Sequence, residues 1–187
     1  MENKTTKGTR SMVELALMSA IIIVMAMTPL GYLKTPFLSI TLLTIPVAVG
    51  AIVLGPKGGA FLGGIFGATS FAQALSGAGM TAILFQTNPL GVLFLCFVPR
   101  ILEGFLCGLI AKLMRKTRLK KAAFYIAGIS CPVLNTILFM GTVVALFYQT
   151  EYIQTLVTSL GAKNPIGFII ALVGIQGVIE AVVCGII

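Results

Sequence analysis

LGVLFLCFVPRILEGFLCGLIAKLM, residues 90–114, decides the fold. The run is apolar apart from Arg100, Glu103 and Lys112 near its end. Its length suits a helix, which needs about 20 apolar residues to cross the ~30 Å hydrocarbon core of a bilayer. A membrane strand would alternate apolar and polar residues at period two, and this run does not. Arg100 and Glu103, one helical turn apart in the middle of the run, are what a lipid-crossing helix should lack.

The rest of the chain repeats the pattern. Of its 187 residues 58% are hydrophobic and 10% charged, with a mean hydropathy of +1.07. A soluble domain carries roughly a quarter of its residues as charges. The chain therefore reads as an all-α integral membrane bundle, one transmembrane domain of six helices, with spans near 11–29, 38–54, 59–77, 90–114, 122–149 and 165–187. The breaks are local. Pro29, Gly31 and Pro36 separate the first two spans, Gly55-Pro56-Lys57-Gly58 forms a tight turn, and Asn88-Pro89 opens the fourth. Lys112–Lys121 is a basic connector, and Pro165 starts the last helix, where the missing N–H costs little.

Charge sets the orientation. An N-terminus on the cytoplasmic side collects Lys4, Lys7, Arg10, Lys57, Lys112, Arg115, Lys116, Arg118, Lys120 and Lys121 there, and leaves Lys34 and Lys163 outside. Cytoplasmic loops are enriched in Lys and Arg, so the N-terminus is expected inside. The net charge of +8 follows from topology and needs no nucleic-acid partner. The basic connector is foremost a topology signal, with anionic headgroups as a secondary contact. Lys4, Lys7 and Arg10 before an apolar run also imitate a signal peptide, but Glu14 near its start and an even span count favour an uncleaved first helix. The last span reaches Ile187 without a charged tail, so the natural chain is expected to continue.

Small residues recur every fourth position in Gly59-Gly63-Gly67 with Ala60-Gly64-Ala68, in Gly104-Gly108 and in Gly177-Ala181-Gly185. Such stripes let two backbones approach in lipid, and packing inside the bundle is expected for all three. Ala16 and Ala20 on the first span make a similar flat face, whose spacing fits an internal neighbour and an external partner helix equally.

A charge at mid-bilayer is costly, about 3 kcal/mol on insertion scales, and persists where it has a partner or a task. At ~1.5 Å per residue Arg100 lies about 15 Å below the start of its span. Glu103, Asn135, Gln176 and Glu180 fall near the same depth, with Thr69 and Gln73 toward the outer side and Asn88 at the outer entrance of the fourth span. Two arrangements fit: an ion pair of Arg100 with Glu103 or Glu180 that staples helices together, or an outward-opening polar pocket. The pocket is favoured, because a guanidinium grips a carboxylate or phosphate with two parallel bonds. The outer connectors 77–89 and 150–164 are long enough to fold over such a cavity.

Catalysis is not expected. The chain has no histidine and no aspartate, so a metal site or acid–base pair has little to work with. Cys96, Cys107, Cys131 and Cys184 form no CxxC and read as small core-facing or lipid-facing side chains.

Six short helices, a basic loop between the fourth and fifth, the Ala16/Ala20 face and the stretch TIPVAVGAIVLGPKGGAFLGGIFGATS (Thr44–Ser70) resemble the substrate-binding S components of energy-coupling factor (ECF) vitamin transporters, in particular the pantothenate-type subgroup. The resemblance implies a cell-membrane protein that binds a vitamin from outside and docks, through Ala16 and Ala20, on a transmembrane coupling subunit carrying two ATP-binding subunits. It then reorients to release its cargo inside. No cofactor is expected in the chain itself: it has no Walker motif, so ATP is hydrolysed by the partners. With no tryptophan and only 4 tyrosines, stacking surfaces for flat-ring vitamins are few. A flexible hydroxylated carboxylate fits Arg100 and the amides better. Pantothenate is the expected cargo; riboflavin, folate, a pyridoxine-like vitamin or a ligand-free six-helix scaffold are the alternatives.

Overall fold

The computed structural model describes residues 4–28, 31–34, 39–77, 80–115, 122–159 and Gly167. The first apolar run forms α1 (Lys4–Met27). It ends where the Thr28 hydroxyl and amide both donate to the Met25 carbonyl, at 3.0 and 3.2 Å. A short antiparallel hairpin follows, β1 (Tyr32–Lys34) and β2 (Ser39–Thr41), in the register Tyr32↔Thr41, Leu33↔Ile40 and Lys34↔Ser39. The hairpin is a minor addition to a fold that is all-α as expected. It also delays the second span, expected from residue 38, so that helix resumes only at Thr44, where the Thr44 hydroxyl donates to the Thr41 carbonyl at 3.0 Å.

Helix α2 (Thr44–Leu75) has two arms joined at Gly55, whose φ of 80° and ψ of −171° are open only to glycine. The expected tight turn is thus a single-residue break. The first arm, Thr44–Leu54, is about 16 Å long at ~1.5 Å per residue, half of a bilayer core. Pro56 begins the second arm, and the break leaves the last carbonyls of the first arm, Ile52 among them, without helical donors. Arg115 supplies the missing donor, its Nη2 lying 2.7 Å from the Ile52 oxygen.

The second arm packs antiparallel on α4 (Pro89–Arg115), backbone on backbone. A Cβ at Gly59 would overlap the Gly104 carbonyl and one at Gly63 the Arg100 carbonyl. At Gly67 it would stand 2.8 Å from the Cys96 oxygen, and at Gly108 2.7 Å from Pro56 Cα. The stripes Gly59-Gly63-Gly67 and Gly104-Gly108 are therefore each other's partners. Gly177-Ala181-Gly185 lies outside the described residues.

Helix α5 (Ala122–Phe147) lies along α4, also antiparallel. The Cys107 thiol meets the Ala127 carbonyl at 3.3 Å and the Cys131 thiol meets Glu103 Oε1 at 3.2 Å. Cys96, Cys107 and Cys131 are buried and unbridged, as core-facing side chains should be; Cys184 is outside the described residues. The connectors expected at 77–89 and 150–164 are helical in part, as α3 (Met80–Thr87) and α6 (Glu151–Ser159). Ile153 and Val157, one turn apart, anchor α6 to the bundle.

Two apolar cores result. One, with Ile22, Leu43, Val47, Leu62 and Cys107, joins α1 and the first arm of α2 to the C-terminal half of α4. The other, with Leu84, Leu95, Met140, Phe147 and Ile153, ties α3 and α6 to the other ends of α4 and α5. Among the described residues four helices contain stretches long and apolar enough to cross a membrane: Gly8–Met27, Thr44–Leu75, Pro89–Arg115 and Tyr125–Phe147. The span expected at 165–187 lies outside the described residues except for Gly167.

Candidate functional site

The buried polar side chains of the bundle gather between those two cores. Arg100 is 6% exposed, Glu103 0% and Asn135 5%; Thr136, next to Asn135 on α5, and Ser70 on α2 are buried as well. Proline stands beside the key residue on both helices, Pro99 before Arg100 and Pro132 after Cys131. Each lacks the N–H that would complete a helical turn, so the carbonyls four residues back, those of Leu95 on α4 and Gly128 on α5, have no helical donor from these positions.

Arg100 Nη1 donates to the Asn135 amide oxygen. Phe66 of α2 and Phe139 of α5 flank the guanidinium, with Cζ 4.6 and 4.7 Å from the ring centroids, well inside cation–π range. The Nε–H is buried and has no acceptor among the described residues. Nε and Nη2 form one edge of the guanidinium, the fork that pairs with a carboxylate through two parallel bonds. Asn135 occupies the other end, so the fork points at whatever anion enters. A buried charged donor left unmatched costs more than the ~1–3 kcal/mol of a neutral one.

Glu103 does not neutralise this cation. It accepts the Cys131 thiol at 3.2 Å one turn away, and the same sulfur lies 3.7 Å from the Thr44 carbonyl. Among the described residues no carboxylate forms an ion pair with Arg100, so the Arg100–Glu103 version of the staple is absent. Glu180, the other acid considered, and Gln176 are outside the described residues.

The remaining expected site residues sit nearer the α3/α6 end. Gly67 faces Cys96, so Thr69 falls roughly 9 Å along the axis from Arg100, and Gln73 a further turn. The Thr69 hydroxyl donates to its own helix at Phe66 O, 2.8 Å away, while Gln73 is half-buried. Asn88 is exposed and its Oδ1 accepts the Gly91 amide at 3.0 Å, which makes it the N-cap of α4. Separately, an apolar groove of about 490 Å³ runs along α4 and α5 past Phe94, Val98, Ile137 and Gly141. Its hydroxyl, Thr142, is spent on the Leu138 carbonyl at 2.8 Å, so nothing there orients a polar ligand.

Helix α1 turns Leu15, Met18, Ile22 and Met25 toward α2. Ala16 and Ala20 are exposed, among Met12, Val13, Leu17 and Val24. Within the described residues no helix packs on this flat face.

Residues 10–187 match the family described as ECF transporter, substrate-specific component. The chain is an ECF transporter S component. Relatives include the protein named pantothenate transporter PanT of Leuconostoc mesenteroides subsp. mesenteroides, 30% identical over 178 residues, 90% of this chain and 82% of the relative. The pantothenic acid transporter PanT of Lactococcus lactis subsp. cremoris is 36% identical over 132 residues, 65% of this chain and 64% of the relative. As an S component the protein is a multi-pass membrane subunit that contributes substrate binding to a transporter.

Two features of the S component's site carry no sequence signal of their own. Phe66 and Phe139 are two of 12 phenylalanines, and only the register that sets Gly63 against Arg100, and Asn135 one turn from Phe139, brings them to the guanidinium.

Proposed function

We propose that this S component binds pantothenate and delivers it to an ECF importer. The buried Arg100, held by Asn135 with its Nε–H unmatched, carries the reading, because it is a prepared seat for one carboxylate. The names of the two relatives support the choice of vitamin. In this reading the carboxylate takes the Arg100 fork. The amides of Asn135 and Gln176, the hydroxyl of Thr69 and the acids Glu103 and Glu180 meet the hydroxyls and amide of the pantoyl chain, while Gln73 and Asn88, roughly 15 and 18 Å along the axis from Arg100, line the route to it.

The chain crosses the membrane six times with its N-terminus in the cytoplasm, which places the α3/α6 end outside and the Gly55 break and basic residues inside. The exposed Ala16/Ala20 face docks on the transmembrane coupling subunit. Two ATP-binding subunits drive the cycle, and the S component itself holds no cofactor and performs no reaction.

Binding of radiolabelled pantothenate to the purified chain tests this. Arg100→Ala removes the partner of a buried charge and should weaken binding at least about a hundredfold, leaving an inserted, folded protein. Wild-type affinity in that variant, or a preference for riboflavin, folate or pyridoxine over pantothenate, refutes the reading.

A further inference from the structure

We propose that Phe66 and Phe139 are specificity-determining residues that restrict Arg100 to a flat carboxylate presented edge-on, and exclude tetrahedral phosphoryl and sulfonyl groups. The inference rests on the proposed function and goes beyond it.

Three boundaries confine the cation. Asn135 takes Nη1, Phe66 stands against the guanidinium from α2, and Phe139 from α5. The face of a phenyl ring carries negative potential. That attracts the cation but repels anionic oxygens leaving the guanidinium plane. A carboxylate paired with Nε and Nη2 keeps both oxygens in that plane. A phosphoryl or sulfonyl group pairs through two oxygens and must place a third out of plane, toward the rings. Phe66 is fully buried in the core that joins α1 and α2 to the C-terminal half of α4, and cannot swing aside without opening a cavity. Phe139 is half-buried, so it tolerates substitution better.

The test uses the full chain in detergent with labelled pantothenate. Displacement by unlabelled pantothenate is compared with displacement by the same skeleton bearing a sulfonate in place of the carboxylate. The wild type should prefer the carboxylate by about tenfold or more, in line with a desolvated cation–π environment. Phe139→Leu and Phe66→Leu should narrow that ratio to within about threefold, whereas Phe139→Tyr, which keeps an aromatic face, should retain it. If Phe66→Leu does not fold, the Phe139 pair decides alone. Equal affinity of the wild type for both head groups, or an unchanged ratio in Phe139→Leu, overturns the inference while the pantothenate reading stands. A wild-type chain that binds no pantothenate overturns both.

Discussion

Gly63→Ala and Gly64→Ala are neighbouring substitutions of identical chemistry, and the structure assigns them opposite signs. A methyl at Gly63 overlaps the Arg100 carbonyl oxygen and lies 2.8 Å from its carbon and 3.1 Å from Ile101 Cα. All three are backbone atoms, which cannot rotate away. Restoring a normal carbon–carbon separation of about 3.5 Å requires α2 and α4 to part by nearly 1 Å along the seam. Overpacking of this kind costs about 1–3 kcal/mol. Replacing glycine by alanine in a helix returns about 1 kcal/mol. The net is a loss of up to about 2 kcal/mol, together with weaker vitamin binding because Arg100 forms the displaced surface. At Gly64 the nearest foreign atom is Ile101 Cγ1 at 3.9 Å, ordinary contact, so only the helix gain of up to about 1 kcal/mol remains. Unfolding of the purified variants in detergent, with pantothenate titration alongside, measures both. Equal stability of the two variants would refute the backbone-on-backbone packing of α2 and α4.

Arg115→Ala strips the donor from the Ile52 carbonyl near the end of the first arm of α2 and should cost about 1–3 kcal/mol, read by unfolding in detergent; unchanged stability would refute the link. Ala16→Trp or Ala20→Trp should abolish co-purification with the coupling subunit and vitamin uptake in cells, yet leave pantothenate binding by the isolated chain unchanged; normal uptake would assign that face another use. Asn88→Ser keeps an oxygen for the Gly91 amide, so stability should stay within about 0.5 kcal/mol, whereas Asn88→Ala should lose about 1 kcal/mol through the cap; equal stability of the two variants in detergent unfolding would refute the cap.

The charged turn of α4 was legible because Arg100 and Glu103 stand out against an apolar background, and mid-bilayer charge is rarely idle. Their relation was not legible. One turn apart on a single helix, they suggest an ion pair, and only the α5 register reveals that Asn135 and Cys131 separate them. The glycine stripes announced flat faces through their spacing, but spacing does not say which stripe meets which. Gly55-Pro56 was readable as an interruption, whereas the rescue of Ile52 by Arg115 joins residues far apart in sequence. The helices α3 and α6 escaped because 8 and 9 residues are too few to establish a period, and strands of 3 residues escape for the same reason.

The glycine seam has one more consequence. A subunit that passes a charged nutrient across a bilayer must deny the same path to sodium ions and protons. Where side chains interdigitate, a shift of one rotamer opens a crevice; where main chain lies against main chain, as from Gly59 to Gly67, there is nothing to rotate. The seam is therefore a gasket, and the electrical insulation of the membrane there depends on the absence of five methyl groups, at Gly59, Gly63, Gly67, Gly104 and Gly108.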